Sequence, residues 1–198
     1  GDVSLKEQSS DDNESSEVEL KIKYSTSGEN KHALIGFDLS ALPANVNVDS
    51  ASLAVNVTRE RAGALLWVNE LTQTWVENQV TWDERVTGAS WTDGGGTFGS
   101  TLLGSLDVSN LGSTSIASSE LADLVEAWAS GAKANQGLLL RSNEVSVNQV
   151  KLGSIEAGSN TPYLEVCYSV APTPEACAAV TTVQLPATGD AFIEEKST

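Results

Sequence analysis

The segment Glu-Val-Glu-Leu-Lys-Ile-Lys-Tyr over residues 17–24 alternates polar and apolar side chains without a break. Val18, Leu20, Ile22 and Tyr24 fall on one face, two glutamates and two lysines on the other. A period of two fits a strand with one face in a core and one in water, and not an amphipathic helix. Comparable runs follow at 33–39, 51–58, 65–71, 102–108, 137–141, 145–152 and 163–169. Clusters of Gly, Asn, Pro and Ser separate these short runs, so the pattern predicts an all-β fold, a jelly-roll-like β-sandwich. One stretch departs from it. Over 118–130, Leu121, Leu124, Val125 and Trp128 recur at helical spacing, with Ser118 or Ser119 placed to cap the start and Gly131 to end it. This predicts one short helix covering an end or open edge of the sandwich.

The surface of such a sandwich is acidic. Asp and Glu number 27 against 11 Lys and Arg, a formal charge of −16. Association with a phosphate backbone or an anionic membrane would start from repulsion, which argues against nucleic acid and membrane partners. No apolar run approaches the roughly 20 residues of a membrane span. Methionine is absent even at position 1, so the numbering is expected to begin inside a longer or processed precursor.

Cys167 and Cys177 could close a short disulfide loop, worth roughly 2–3 kcal/mol, and would then place the chain in an oxidising compartment; two unpaired thiols are the alternative. His32 is the sole histidine and no Cys-x-x-Cys occurs, which leaves no ordinary zinc ligand set. Within its strand-like segment His32 reads as an edge or surface residue. Nucleophilic catalysis would depend on that single imidazole, and a carboxylate-pair hydrolase has only the abundance of acids behind it. The expectation is a protein that is not an enzyme.

Residues 170–188 carry Pro172, Pro174 and Pro186 among Ala and Thr, the composition of an extended linker. Gly189 to Thr198 then repeat Gly1 to Ser10 in register: Gly, Asp, Glu and Ser are shared, and Leu5 matches Ile193. The chain accordingly divides into a sandwich at 1–169, the linker at 170–188, and at 189–198 the first strand of a following repeat or neighbouring subunit.

The segment His-Ala-Leu-Ile-Gly-Phe-Asp-Leu-Ser-Ala-Leu-Pro over 32–43 resembles the "rFDLSslP" segment of the DNRLRE domain. Trp-Val-Glu-Asn-Gln-Val-Thr-Trp over 75–82 is similar to that family's "WtEstVTW". Further blocks follow in family order: Trp91 with Gly94 to Gly96, Leu124 to Trp128, Asn135 to Leu140, and Pro162 to Val166. The resemblance implies a secreted β-sandwich, repeated in or appended to large surface proteins, in a family whose members include carbohydrate-binding modules. It implies no catalysis.

Two readings of function follow. The first is an extracellular or cell-surface structural unit of a fibre, filament or adhesin stalk that joins copies of itself through Ala191, Phe192, Ile193, Glu194 and Glu195. The alternative is a carbohydrate-binding module with a polysaccharide as partner, for which Trp67 and Trp91 are the candidate sugar platform. No cofactor is expected beyond calcium, with Asp11, Asp12 and Glu14 as its candidate ligands. Anionic glycans are expected to be poor ligands unless calcium bridges the charges. Gly94 to Gly96 lack the Lys-Ser/Thr of a phosphate loop and read as a flexible turn. Leu185 to Gly189 has the form of a sortase motif without the tail that such a signal needs.

Overall fold

The computed structural model describes residues 1–43, 45–143 and 147–170. In chain order the strands are β1 (Asp2–Lys6), β2 (Glu19–Tyr24), β3 (Lys31–Ile35), β4 (Val46–Arg59), β5 (Leu65–Leu71) and the short pair β6 (Glu84–Val86) and β7 (Ala89–Ser90). They continue as β8 (Phe98–Asp107), β9 (Gly112–Ala117), β10 (Leu138–Ser142), β11 (Val147–Gly153) and β12 (Tyr163–Val170), with one helix, α1 (Ser119–Ala129), between β9 and β10. The fold is all-β, as the alternating runs predict.

One layer runs β1-β3-β10-β5-β8, all antiparallel. The other is built on β4. One edge of β4 pairs β12 and then β11, the opposite edge pairs β9, and β2 lies outside β11. The layers join where Lys23 of β2 pairs Lys31 of β3. Between them lies the main core, to which Leu20, Ile22, Ala33, Ile35, Leu53, Val55, Leu66, Leu138, Leu140 and Leu152 all contribute.

The helix forms where its spacing predicts. The Ser118 side chain accepts the Leu121 N–H and donates to the Leu103 carbonyl at 2.6 Å, so the cap also ties the helix to β8. Leu121, Ala122, Leu124, Val125 and Trp128 are buried in the main core, and α1 packs against β4 and β8. Gly131, at φ +76°, ends it.

A second core lies on the far side of the first layer. Val3, Leu5, Leu34, Leu71 and Leu139 are covered there by Val80, Trp82 and Trp91. Strand β10 therefore reads Leu-Leu-Leu because both of its faces are buried, a pattern that alternation does not show.

The disulfide expectation meets an exposed, free thiol at Cys167 on β12; Cys177 lies outside the described residues. So do all of the linker beyond Val170 and the segment from Ala191 to Glu195.

Candidate functional site

The segment between β5 and β8 covers only part of the outer face of the first layer, and at its margin a groove of about 170 Å³ opens. Period-two geometry decides which side chains reach it. His32 shares a face of β3 with Leu34, and Arg141 shares a face of β10 with Leu139, so both point away from the main core. Trp82 and Phe98 come from the covering segment and from β8, and Lys23, Tyr24, Asn30 and the buried Ser142 complete the lining.

His32 holds the groove to its cover. Its Nδ1 lies 2.8 Å from the Gly95 carbonyl oxygen, and its ring centre is 4.9 Å from that of Trp82 at a tilt of 40°. Burial pushes its pKa down to about 4; the hydrogen bond to Gly95 opposes the shift and the Arg141 charge adds to it. The imidazole is therefore neutral at pH 7. It is a groove residue, and the expectation of an ordinary edge or surface histidine is corrected.

The glycines at 94–96 are also not a loose turn. A Cβ on Gly95 would come within 2.6–2.8 Å of the Trp82 indole, and one on Gly96 within 2.7 Å of Leu139. Both have positive φ, +81° and +103°, which only glycine adopts at low cost. The Gly95 N–H donates to the Trp82 carbonyl at 2.7 Å. Glycine is required because the chain lies flat against a tryptophan.

The Arg141 guanidinium lies between two rings, its carbon 4.6 Å from the centre of Trp67 and 4.8 Å from that of Phe98. Its Nε donates to Asn69 at 3.4 Å. Such an assembly presents flat apolar surface and several hydrogen-bond donors together, as a sugar ring with its hydroxyl groups requires.

The expected platform is revised accordingly. Trp91 is only 6% exposed and its Nε1 donates to the Thr81 carbonyl, so it is core and offers no face to a ligand. The apolar second core had more to gain from it than the surface did. Trp67 does not line the groove, and Arg141 covers its ring. Of the remaining tryptophans, Trp128 is core, and Trp75 is half-buried with its Nε1 on the Gln136 carbonyl.

Cations gather beside the groove despite the acidic total. Lys6, Lys21, Lys23 and Lys31 converge where β1, β2 and β3 meet; burial, and then the neighbouring lysines, hold the Lys31 ammonium below its ordinary pKa, with Glu14 opposing. Glu14 is buried among them, 2.8 Å from Lys6 and 3.3 Å from Lys21. At the expected calcium ligands, Asp11 and Asp12 are exposed and Glu14 is buried; Asp12 and Glu14 both engage Lys6, at 3.3 and 2.8 Å, and Glu14 also pairs with Lys21. Three carboxylates do meet elsewhere: oxygens of Asp2, Glu77 and Glu156 lie within 4.8 Å of one another, the only such group among the described residues. Both Asp2 oxygens are engaged there, by the Ser154 hydroxyl at 2.8 Å and the Ile155 N–H at 3.0 Å.

Against this geometry, the model of carbohydrate-binding module family 96 matches residues 2–168. The chain belongs to that family. No curated protein matches it. The family 96 module spans the whole sandwich, from β1 to within two residues of the end of β12. Of the earlier resemblance, the carbohydrate-binding aspect is supported, and the DNRLRE name has no support of its own. Among the described residues, no helix is long and apolar enough to cross a membrane.

Sequence reasoning missed Phe98, Trp82 and Arg141 as groove residues. The available signal was the run Leu138-Leu139-Leu140. A strand apolar on both faces implies a cover over its outer face, and a cover of limited width has a margin.

Proposed function

We propose that this family 96 module binds a polysaccharide without transforming it, and that the groove between Trp82, Phe98 and Arg141 is where it does so. The observation that carries this reading is the Arg141 guanidinium packed over the Trp67 and Phe98 rings at the edge of the segment that covers the second core. The groove is small compared with the ~300–1,000 Å³ of an enclosing ligand pocket, so it suits one ring of a chain lying across the surface. Phe98, half-buried, offers apolar surface to the ring's C–H face beside the edge of the buried Trp82, and Lys23 and Asn30 supply polar groups to the same groove. Binding of this kind serves a secreted or surface protein that must stay on a polymer, and an extracellular setting is part of the proposal.

The lysines beside the groove are largely paired, Lys21 with Glu14 and Glu17 and Lys23 with Glu29, so the local surface carries no net excess of cations and the expectation of poor binding to anionic glycans stands. Affinity electrophoresis on neutral and uronic-acid polysaccharides tests the proposal. Retardation by at least one polymer, abolished or weakened in Phe98→Ala and Arg141→Ala, is the expected result. Retardation unchanged in both variants would place binding elsewhere on the module.

A further inference from the structure

The contacts of β1 give structural meaning to its echo near the end of the chain. Gly1 donates from its amino group and accepts the Gly36 N–H, and a Cβ there would strike the Glu77 carboxylate that receives the Asp2 amide. Asp2 is 3% exposed and docks on Ser154 and Ile155. Val3 and Leu5 are buried in the second core. Glu7 accepts from both the backbone and the side-chain nitrogen of Asn30, at 3.0 and 2.7 Å. These anchoring positions are the ones repeated later: Gly189, Asp190, Ala191, Ile193 and Glu195 stand in register with Gly1, Asp2, Val3, Leu5 and Glu7.

Two of the positions that differ are incompatible with this module. Ser4 is 1% exposed, and its hydroxyl accepts the Lys21 N–H at 2.8 Å; the matching residue is Phe192. Lys6 pairs with buried Glu14 at 2.8 Å; its match is Glu194, which would set two carboxylates together. The segment therefore carries the anchors of a first strand but does not fit the first-strand position of an identical chain.

We propose that residues 189–198 open a second, non-identical module of the same fold, to which residues 171–188 are the connector. In that module the position facing Phe192 has room for a ring, and the counterpart of Glu14 is not acidic. The reading does not depend on the glycan groove, and it disfavours strand donation between identical subunits.

Mass-spectrometric sequencing of the intact polypeptide past Thr198 tests the proposal. The expected result is a second Phe-Asp-Leu-Ser-type segment, spaced from Gly189 as Phe37 to Ser40 are from Gly1, followed by a second Trp-x-x-x-x-Val-Thr-Trp-like block. A polypeptide lacking those blocks overturns it. Sedimentation velocity of the 198-residue chain supplies an independent measurement. A monomer at every concentration is expected, whereas oligomers that vanish on deletion of residues 189–198 would establish exchange between identical chains instead. Ser4→Phe is expected to lower the Tm of this module by about 4 °C or more. An unchanged Tm would remove the ground for calling the second module non-identical.

Discussion

Arg141 is held by shape as much as by charge. Its planar guanidinium fits between the Trp67 and Phe98 rings, and a lysine ammonium cannot reproduce that contact. Arg141→Lys keeps the charge, yet it is expected to weaken polysaccharide binding by about 1 kcal/mol, roughly fivefold, in affinity electrophoresis or calorimetry. Full retention of affinity would show that charge alone is read. Gly95 offers a test of the groove's support. Gly95→Ala forces a methyl group into the Trp82 ring and is expected to cost about 1–3 kcal/mol in urea unfolding. Gly88 is the reference, because it also has positive φ, +77°, but nothing lies within 4 Å of its added Cβ. Equal losses at the two glycines would mean that backbone conformation, and not the tryptophan, sets the requirement.

Elements were legible in the sequence where one face meets the core and the other meets water. Strand β5 spans Leu65–Leu71 as its pattern predicts, and α1 has the expected cap, stripe and terminating glycine. Ser118→Ala removes an acceptor for the Leu121 N–H and a donor to Leu103, and is expected to cost about 1 kcal/mol by the same unfolding assay. A neutral result would show that burial of Leu121 and Trp128 fixes the helix without its cap. Strand β9, Gly-Ser-Thr-Ser-Ile-Ala, left no such trace. Only Ile116 on it is buried, and its strand state comes from pairing along the edge of β4. Tertiary pairing of that kind is not encoded in local alternation. The groove was hidden for a related reason. It needs β3, β5, β8 and β10 side by side, and strand order is not a property of any one segment. Trp91 was misplaced because much of the cluster it joins, Leu5, Leu34 and Leu139 among them, comes from distant parts of the chain.

For the whole molecule, two buried titrating groups act against each other in acid. Burial raises the Asp2 carboxyl from 3.8 to about 6; hydrogen bonds from Ser154 and Ile155 oppose the rise and the Glu156 charge adds to it. The folded state then holds a proton that the unfolded chain has lost. The stability from Asp2 is full below its unfolded pKa and disappears as pH rises through about 6. His32 has the opposite sign. Its folded pKa lies at about 4 against an ordinary 6.5, so its contribution is full above 6.5 and is lost as pH falls toward 4. Between about 4 and 6 the two slopes offset each other. Asp2→Asn removes the slope that opposes His32, and urea midpoints at pH 4, 5 and 6 should rise more steeply with pH than in the parent. Parallel profiles would show that Asp2 does not hold the extra proton.

The long strand β4 also bears on the order in which the molecule can be made. Its first half pairs with β12, the last described strand, and Asp2 from the first strand docks on Ser154. A chain emerging from the ribosome with its amino end first can pair β1 with β3 early. The slot for Asp2 and the partner for β4 arrive only when synthesis has nearly reached residue 170. Contacts so distant in sequence form slowly. Until they close, half-finished sheet edges are exposed to any neighbouring nascent chain. Completion of the sandwich therefore waits for its last strand to be made.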